Sequence, residues 1–107
     1  MNFNNIQEAL VRGENAPRTL VEYKSYLSGH SSYLLGQLEE ILGRRPLVWS
    51  DIRKHTKSDK SADREYDATI DGLDSMKLEI ELKRIKLLIS AINSSLRLAE
   101  SEAKNLF

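Results

Sequence analysis

The apolar residues of the C-terminal third recur at alternating spacings of four and three, and this pattern constrains the fold more than any other feature. The series comprises Leu78, Leu82, Ile85, Ile89, Ile92, Leu96, Ala99, Ala103 and Leu106. A heptad repeat of this kind places one apolar seam along an α-helix and is typical of helices that pack against other helices. Because an apolar stripe also precedes the seam, we predict one long helix over residues 61–106, with Gly72 as a point where it bends.

A second helix is indicated over residues 17–43. Pro17 suits a first helical turn, Thr19 and Glu22 have the spacing of a capping box, and Gly43 supplies a stop. The apolar face of this helix comprises Leu20, Tyr23, Leu27, Leu34, Leu38 and Ile41. The pattern predicts an all-α protein in which the two helices form an antiparallel hairpin.

The chain of 107 residues is expected to be a single helical domain. Its parts are an N-terminal arm or short helix (1–15), the first helix (17–43), a basic connection (44–60) and the long heptad helix (61–106). At 1.5 Å per residue the two main helices would span roughly 36 Å and roughly 69 Å, so a hairpin would leave about half of the longer seam uncovered. Self-association is the simplest way to cover the rest of the seam. We therefore predict a homo-oligomer built through Leu78, Leu82, Ile85, Ile89, Ile92, Leu96 and Ala99.

The formal charge sums to zero, yet the charges are segregated along the chain. Residues 1–43 carry a net charge of −2, residues 44–60 carry +4 and residues 61–107 carry −2. Six of the sixteen Lys and Arg residues lie in the middle segment, beside the only Trp. A partner that responds to charge would be attracted to that segment.

Neither catalysis nor metal binding is indicated by the residues available. His30 is adjacent to two serines on a predicted helix, where neighbouring side chains point about 100° apart and cannot pair as base and nucleophile. Asp67, Asp71 and Asp74 share one helix face, which is more typical of a solvated surface than of a cation cage. The chain has no cysteine and no glycine-rich phosphate loop. We expect a protein that is not an enzyme and uses no cofactor or metal.

Targeting signals are not apparent in the sequence. The N-terminal residues lack a basic region followed by an apolar one, and no run of eighteen apolar residues occurs. The absence of cysteine fits a reducing compartment. We therefore expect a cytoplasmic protein without a membrane segment.

The middle segment combines the two kinds of group that hold single-stranded nucleic acid, which are cations for phosphates and an aromatic face for a base. The candidate cations are Arg44, Arg45, Arg53, Lys54, Lys57, Lys60 and Arg64. Trp49 is the candidate aromatic residue, although we favour its packing with Leu47, Val48 and Ile52 to close the end of the hairpin. One such patch binds weakly, and several patches on an oligomer would add avidity.

Part of the chain resembles phage recombination mediators of the UvsY type. The similarity lies in Tyr23-x-x-Tyr26-Leu27-x-x-His30-Ser31-Ser32, Arg44-Arg45, Asp63-Arg64 with Tyr66 just beyond, and Leu87-Leu88 on a long closing helix. The resemblance implies an all-helical protomer in a ring-shaped oligomer that binds single-stranded DNA. It also implies a role in DNA recombination and repair, helping to load a strand-exchange recombinase in place of the single-strand-binding protein. If the chain is phage-encoded, its location is the host cell cytoplasm.

Two other functions are compatible with the sequence. A small phage-encoded interaction module, such as an inhibitor of a host defence complex, would bind one protein partner tightly and would lack salt-sensitive affinity for DNA. A structural coiled-coil adaptor in the virion would use the heptad helix and would need nothing from the basic segment.

Overall fold

The structure is a computed structural model that describes residues 1–105, and these residues form an all-α fold, as predicted. Leu106, the last member of the heptad series, lies outside the described residues. The four helices are α1 (Phe3–Val11), α2 (Pro17–Arg53), α3 (Asp59–Asp67) and α4 (Ile70–Asn105). Residues 1–31 and the part of α4 from Lys83 onward form one compact unit, and residues 32–82 form another.

The first unit is built around five fully buried aliphatic side chains. These are Ile6, Leu20, Leu27, Ile85 and Ile92, which come from α1, α2 and α4. The side chain of Asn2 accepts a hydrogen bond from the backbone N–H of Asn5 at 2.9 Å and so caps α1. Arg84 fixes α1 on α4, because its guanidinium lies 4.6 Å from the centre of the Phe3 ring and donates to the side-chain oxygen of Gln7 at 2.8 Å.

The second unit has buried side chains on the C-terminal part of α2 and on α3. The buried side chains are Leu34, Leu38, Ile41, Ala62 and Tyr66. Of the six residues predicted for the apolar face of α2, five are buried. The sixth, Tyr23, is half-buried. The predicted face of this helix is therefore confirmed at those five positions.

The predicted end of the first helix at Gly43 is wrong, because α2 continues for ten more residues to Arg53 with Pro46 inside it. Proline within a helix removes one hydrogen bond and costs about 3 kcal/mol when nothing offsets it. Here hydrogen bonds from Arg44, Trp49 and Arg53 join the extension to α3 and the start of α4. Most of the predicted basic connection is consequently helical, and only residues 54–58 turn the chain.

The predicted helix over residues 61–106 is divided, because α3 ends at Asp67 and α4 begins at Ile70. The hydroxyl of Thr69 donates to the carbonyl of Tyr66 at 2.6 Å and accepts from the N–H of Gly72 at 3.1 Å, so Thr69 caps α4. Gly72 is buried against the backbone of α3, and a Cβ there would lie 2.7 Å from the Cα of Asp67. The absence of a side chain at Gly72 permits this close approach.

Among the described residues, no helix is both long enough and apolar enough to cross a membrane.

Candidate nucleic-acid interface

The predicted cations all lie in the second unit, on the last turns of α2, on the turn at 54–58 and on α3. They fall into two groups: cations that form an ion pair with a carboxylate of the chain, and cations that do not. This division decides which of them are available to an anionic ligand.

Arg44 is held by Asp71 at the start of α4. Its Nε and Nη2 atoms donate to the two carboxylate oxygens of Asp71, each at 2.8 Å. This planar, two-pronged pair is the strongest arrangement open to the two groups. The hydrogen bonds from Arg44 lower the pKa of Asp71 below its ordinary value of 3.8, and the same contact raises the pKa of Arg44. Arg44 therefore serves to join α2 to α4.

Arg53 and Lys54 differ in how firmly they are held at the end of α2. Arg53 donates to Asp59 at 2.8 Å and to the backbone carbonyl of Thr56 at 2.9 Å, which closes the turn between α2 and α3. Lys54 approaches Asp51 only to 3.4 Å, and both side chains are exposed. An exposed pair of this kind contributes little, so the ammonium group of Lys54 remains available.

Trp49 joins α2 to α3, since its indole N–H donates to a carboxylate oxygen of Asp63 at 2.8 Å. The side chain is half-buried, as are Val48 and Ile52, which is consistent with a packing role. Leu47 does not share this role, because it is 75% exposed. The expectation that Leu47 helps close the end of the unit is therefore wrong: on α2 it projects away from the packed side.

The remaining cations have no carboxylate partner within the described residues. Arg45 lies 4.8 Å from the centre of the Tyr66 ring, an arrangement that orients the guanidinium without neutralising it. Lys57, Lys60 and Arg64 are exposed. Lys60 and Arg64 are four residues apart on α3 and so share one face of that helix. Together with Lys54, these four residues define the candidate interface.

Acidic residues offset the positive segment more than its linear charge suggests. Residues 44–74 contain seven Lys and Arg residues and seven Asp and Glu residues, so their net charge is zero. Asp59, Asp63 and Asp71 are the acidic residues that bind back to α2. The signal that could have revealed these partners is the acidic run after residue 58, which folds back on the basic run before it.

The residues predicted for an oligomer interface are largely covered by the chain itself. Ile85 and Ile92 are buried inside the first unit. Leu78, Leu82, Ile89, Leu96 and Ala99 are half-buried. The prediction rested on a mismatch in helix length, but α2 has 37 residues and α4 has 36. The mismatch in length on which the prediction rested is therefore absent.

His30 and Asp71, which were considered for catalysis and metal binding, each contact another side chain of the chain. The ring of His30 stacks on that of Tyr26, with centres 6.1 Å apart. Asp71 is bound to Arg44, as described above. In the part of the chain that the structure describes, no cluster of three or more His, Asp or Glu side chains is arranged to hold a metal ion.

Comparisons with protein-family models, curated proteins and solved structures found no significant match to the chain. The resemblance to UvsY-type mediators thus stays a prediction from the sequence.

Proposed function

We propose that the chain is a non-enzymatic mediator of DNA recombination that binds single-stranded DNA as a homo-oligomer. The observation that supports the proposal is the set of exposed cations on and beside α3, of which Lys57, Lys60 and Arg64 have no carboxylate partner among the described residues. Cations without partners can neutralise phosphates without losing an existing ion pair.

The residues that bind acidic side chains within the chain have a different part in this proposal. Arg44, Arg53 and Trp49 hold α2, α3 and α4 together, and the cations on α3 contact the DNA backbone. Arg45 adds a guanidinium that Tyr66 already orients. Because the surroundings carry no net charge, one copy binds weakly, and several copies on one strand supply the affinity through avidity.

The expected protein partners are a strand-exchange recombinase and the single-strand-binding protein that it replaces on DNA. A protein that contacts the phosphate backbone weakly and repeatedly can remain on DNA while other proteins exchange. No cofactor is required for this role.

Binding of a fluorescent single-stranded oligonucleotide across a salt series tests the proposal. Replacing Lys57, Lys60 and Arg64 with Ala should weaken binding and flatten the plot of log affinity against log salt by about two, since each phosphate contact on a single strand contributes about −0.7 to that slope.

The matched control replaces Arg12, Arg18 and Lys104 with Ala. These three cations are also exposed, and each forms only a surface pair with a nearby Glu. The control removes the same charge and should bind as the wild type does. Equal losses in the two variants, or no binding of the wild type at low salt, would contradict the proposal.

A second candidate is a protein-interaction module that does not bind DNA. The observation that favours it is the zero net charge of residues 44–74, within which the strongest cations are paired internally. The same titration separates the two candidates. A wild type that ignores the oligonucleotide at low salt, yet forms a stoichiometric complex with a purified host protein, would establish this second function.

A further inference from the structure

Helix α4 carries an exposed apolar strip that is distinct from the heptad seam. In the second unit the strip consists of Leu73 and Ile80, which are 47% and 53% exposed. In the first unit it consists of Leu87 and Leu98, which are 71% and 61% exposed, together with exposed Ala91. Single exposed apolar residues are common on proteins, but a row at helical spacing marks a surface suited to another helix.

The residues of the strip are spaced symmetrically about the middle of α4. Leu73 and Leu98 are equally far from the midpoint between Ile85 and Lys86, and so are Ile80 and Ala91. If a second α4 lay antiparallel to the first about this midpoint, Leu73 would meet Leu98 of the other copy and Ile80 would meet its Ala91. Leu87 would then lie near the centre of the contact.

The charges of α4 favour the same orientation. Residues 70–82 carry four acidic groups and one lysine, whereas residues 83–104 carry five basic groups and two glutamates. Asp71 and Arg84 are engaged within the chain, and without them the two parts still have net charges of −2 and +2. An antiparallel pair places each acidic part beside the basic part of the other copy, while a parallel pair places like charges together.

We propose that a second copy of this chain docks on the strip, with the two α4 helices antiparallel. The proposal rests on the homo-oligomer part of the proposed function and is independent of DNA binding. In this proposal the contact between copies is the strip and not the heptad seam, because the seam is buried or half-buried within the chain. A chain that dimerises but ignores DNA would overturn only the proposed function. A chain that binds DNA as an oligomer whose mass is unaffected by substitution in the strip would overturn only the present inference.

Sedimentation equilibrium on the full chain tests the dimer. The wild type should have twice the chain mass of 12.2 kDa, and Leu98→Glu should raise the dissociation constant at least about tenfold by placing a carboxylate against Leu73 at each end of the contact. Leu47→Glu is the matched control, because Leu47 is a similarly exposed leucine on α2. It should leave the mass unchanged, and circular dichroism should show equal helix content in both variants.

Crosslinking tests the orientation, because the chain contains no cysteine. Chains carrying Ile80→Cys and chains carrying Ala91→Cys are mixed and treated with a short bis-maleimide. An antiparallel pair predicts crosslinks between the two kinds of chain, and adding Leu98→Glu to both should abolish them. Crosslinks mainly between identical chains, or a wild type that stays monomeric at its highest soluble concentration, would overturn the proposal.

Discussion

At the scale of the residue, the pair formed by Arg44 and Asp71 connects protonation to stability. The hydrogen bonds from Arg44 hold the pKa of Asp71 below its ordinary value of 3.8. A carboxylate with a lowered pKa in the folded state stabilises the fold at pH values above its unfolded pKa. That stabilisation is lost as the pH falls from there through the lower pKa of the folded state.

Replacing Arg44 with Met should therefore reduce the stability at neutral pH and flatten the decline of stability in acid. The measurement is the free energy of unfolding in urea, at neutral pH and at several values below 3.8. Lys54→Met is the control, since Lys54 forms only a long, exposed pair with Asp51. If Arg44→Met declined in acid as steeply as the wild type, the pair would not be the source of the effect.

Substitutions of Trp49 can distinguish a packing role of its indole ring from a role in binding DNA. Trp49→Phe keeps an aromatic face but removes the hydrogen bond to Asp63, so it should lower the free energy of unfolding by about 1 kcal/mol. Trp49→Leu also removes the aromatic face, and it should still leave the affinity for a single-stranded oligonucleotide within about twofold of the wild type.

A double-mutant cycle completes the Trp49 experiment. Because Asp63→Ala removes the acceptor of the same hydrogen bond, the combined variant should lose less stability than the sum of the two single losses. Strict additivity would show that the bond contributes nothing, and a large loss of DNA affinity in Trp49→Leu would instead assign the indole to a base.

At the scale of the element, two glycines in helices should respond to alanine in opposite directions. Gly36 in α2 has open space around the position of a Cβ, so Gly36→Ala should stabilise the protein by roughly 0.5–1 kcal/mol through helix propensity. Gly72→Ala should destabilise it by more than about 1 kcal/mol, because the new Cβ would meet the backbone of α3. Urea unfolding of both variants measures the difference, and a stabilised Gly72→Ala variant would contradict the packing of α3 on α4.

Helix type, the start of α2 at Pro17 and its buried face could be predicted from the sequence, whereas the end of α2 and the break before α4 could not. Periodicity identifies the side that is buried, as Leu27 and Ile41 illustrate. Gly43 and Pro46 are local stop signals, and they are overridden by contacts with α3 and α4 that are distant in sequence. Thr69 caps α4 inside what reads as one continuous apolar stripe, so the break before α4 depends on a side-chain bond that spacing does not show.

At the scale of the whole molecule, charge summed along the sequence differs from charge summed in space. The segment 44–60 has a net charge of +4, yet its Arg44, Trp49 and Arg53 bind acidic residues beyond position 58. The candidate site could therefore be predicted only in part: the segment was identified, but the division into structural and available cations required the fold. An affinity that depends on a few available cations is expected to be weak for one copy and stronger for an assembly.

Light scattering of the full chain, with and without a single-stranded oligonucleotide, is the decisive experiment for the proposed function because it reports assembly and ligand binding together. We expect a mass above the 12.2 kDa of one chain and a further increase when the oligonucleotide is added at low salt, and this increase should reverse at high salt. A particle of 12.2 kDa whose mass does not change with the oligonucleotide would contradict the proposed function.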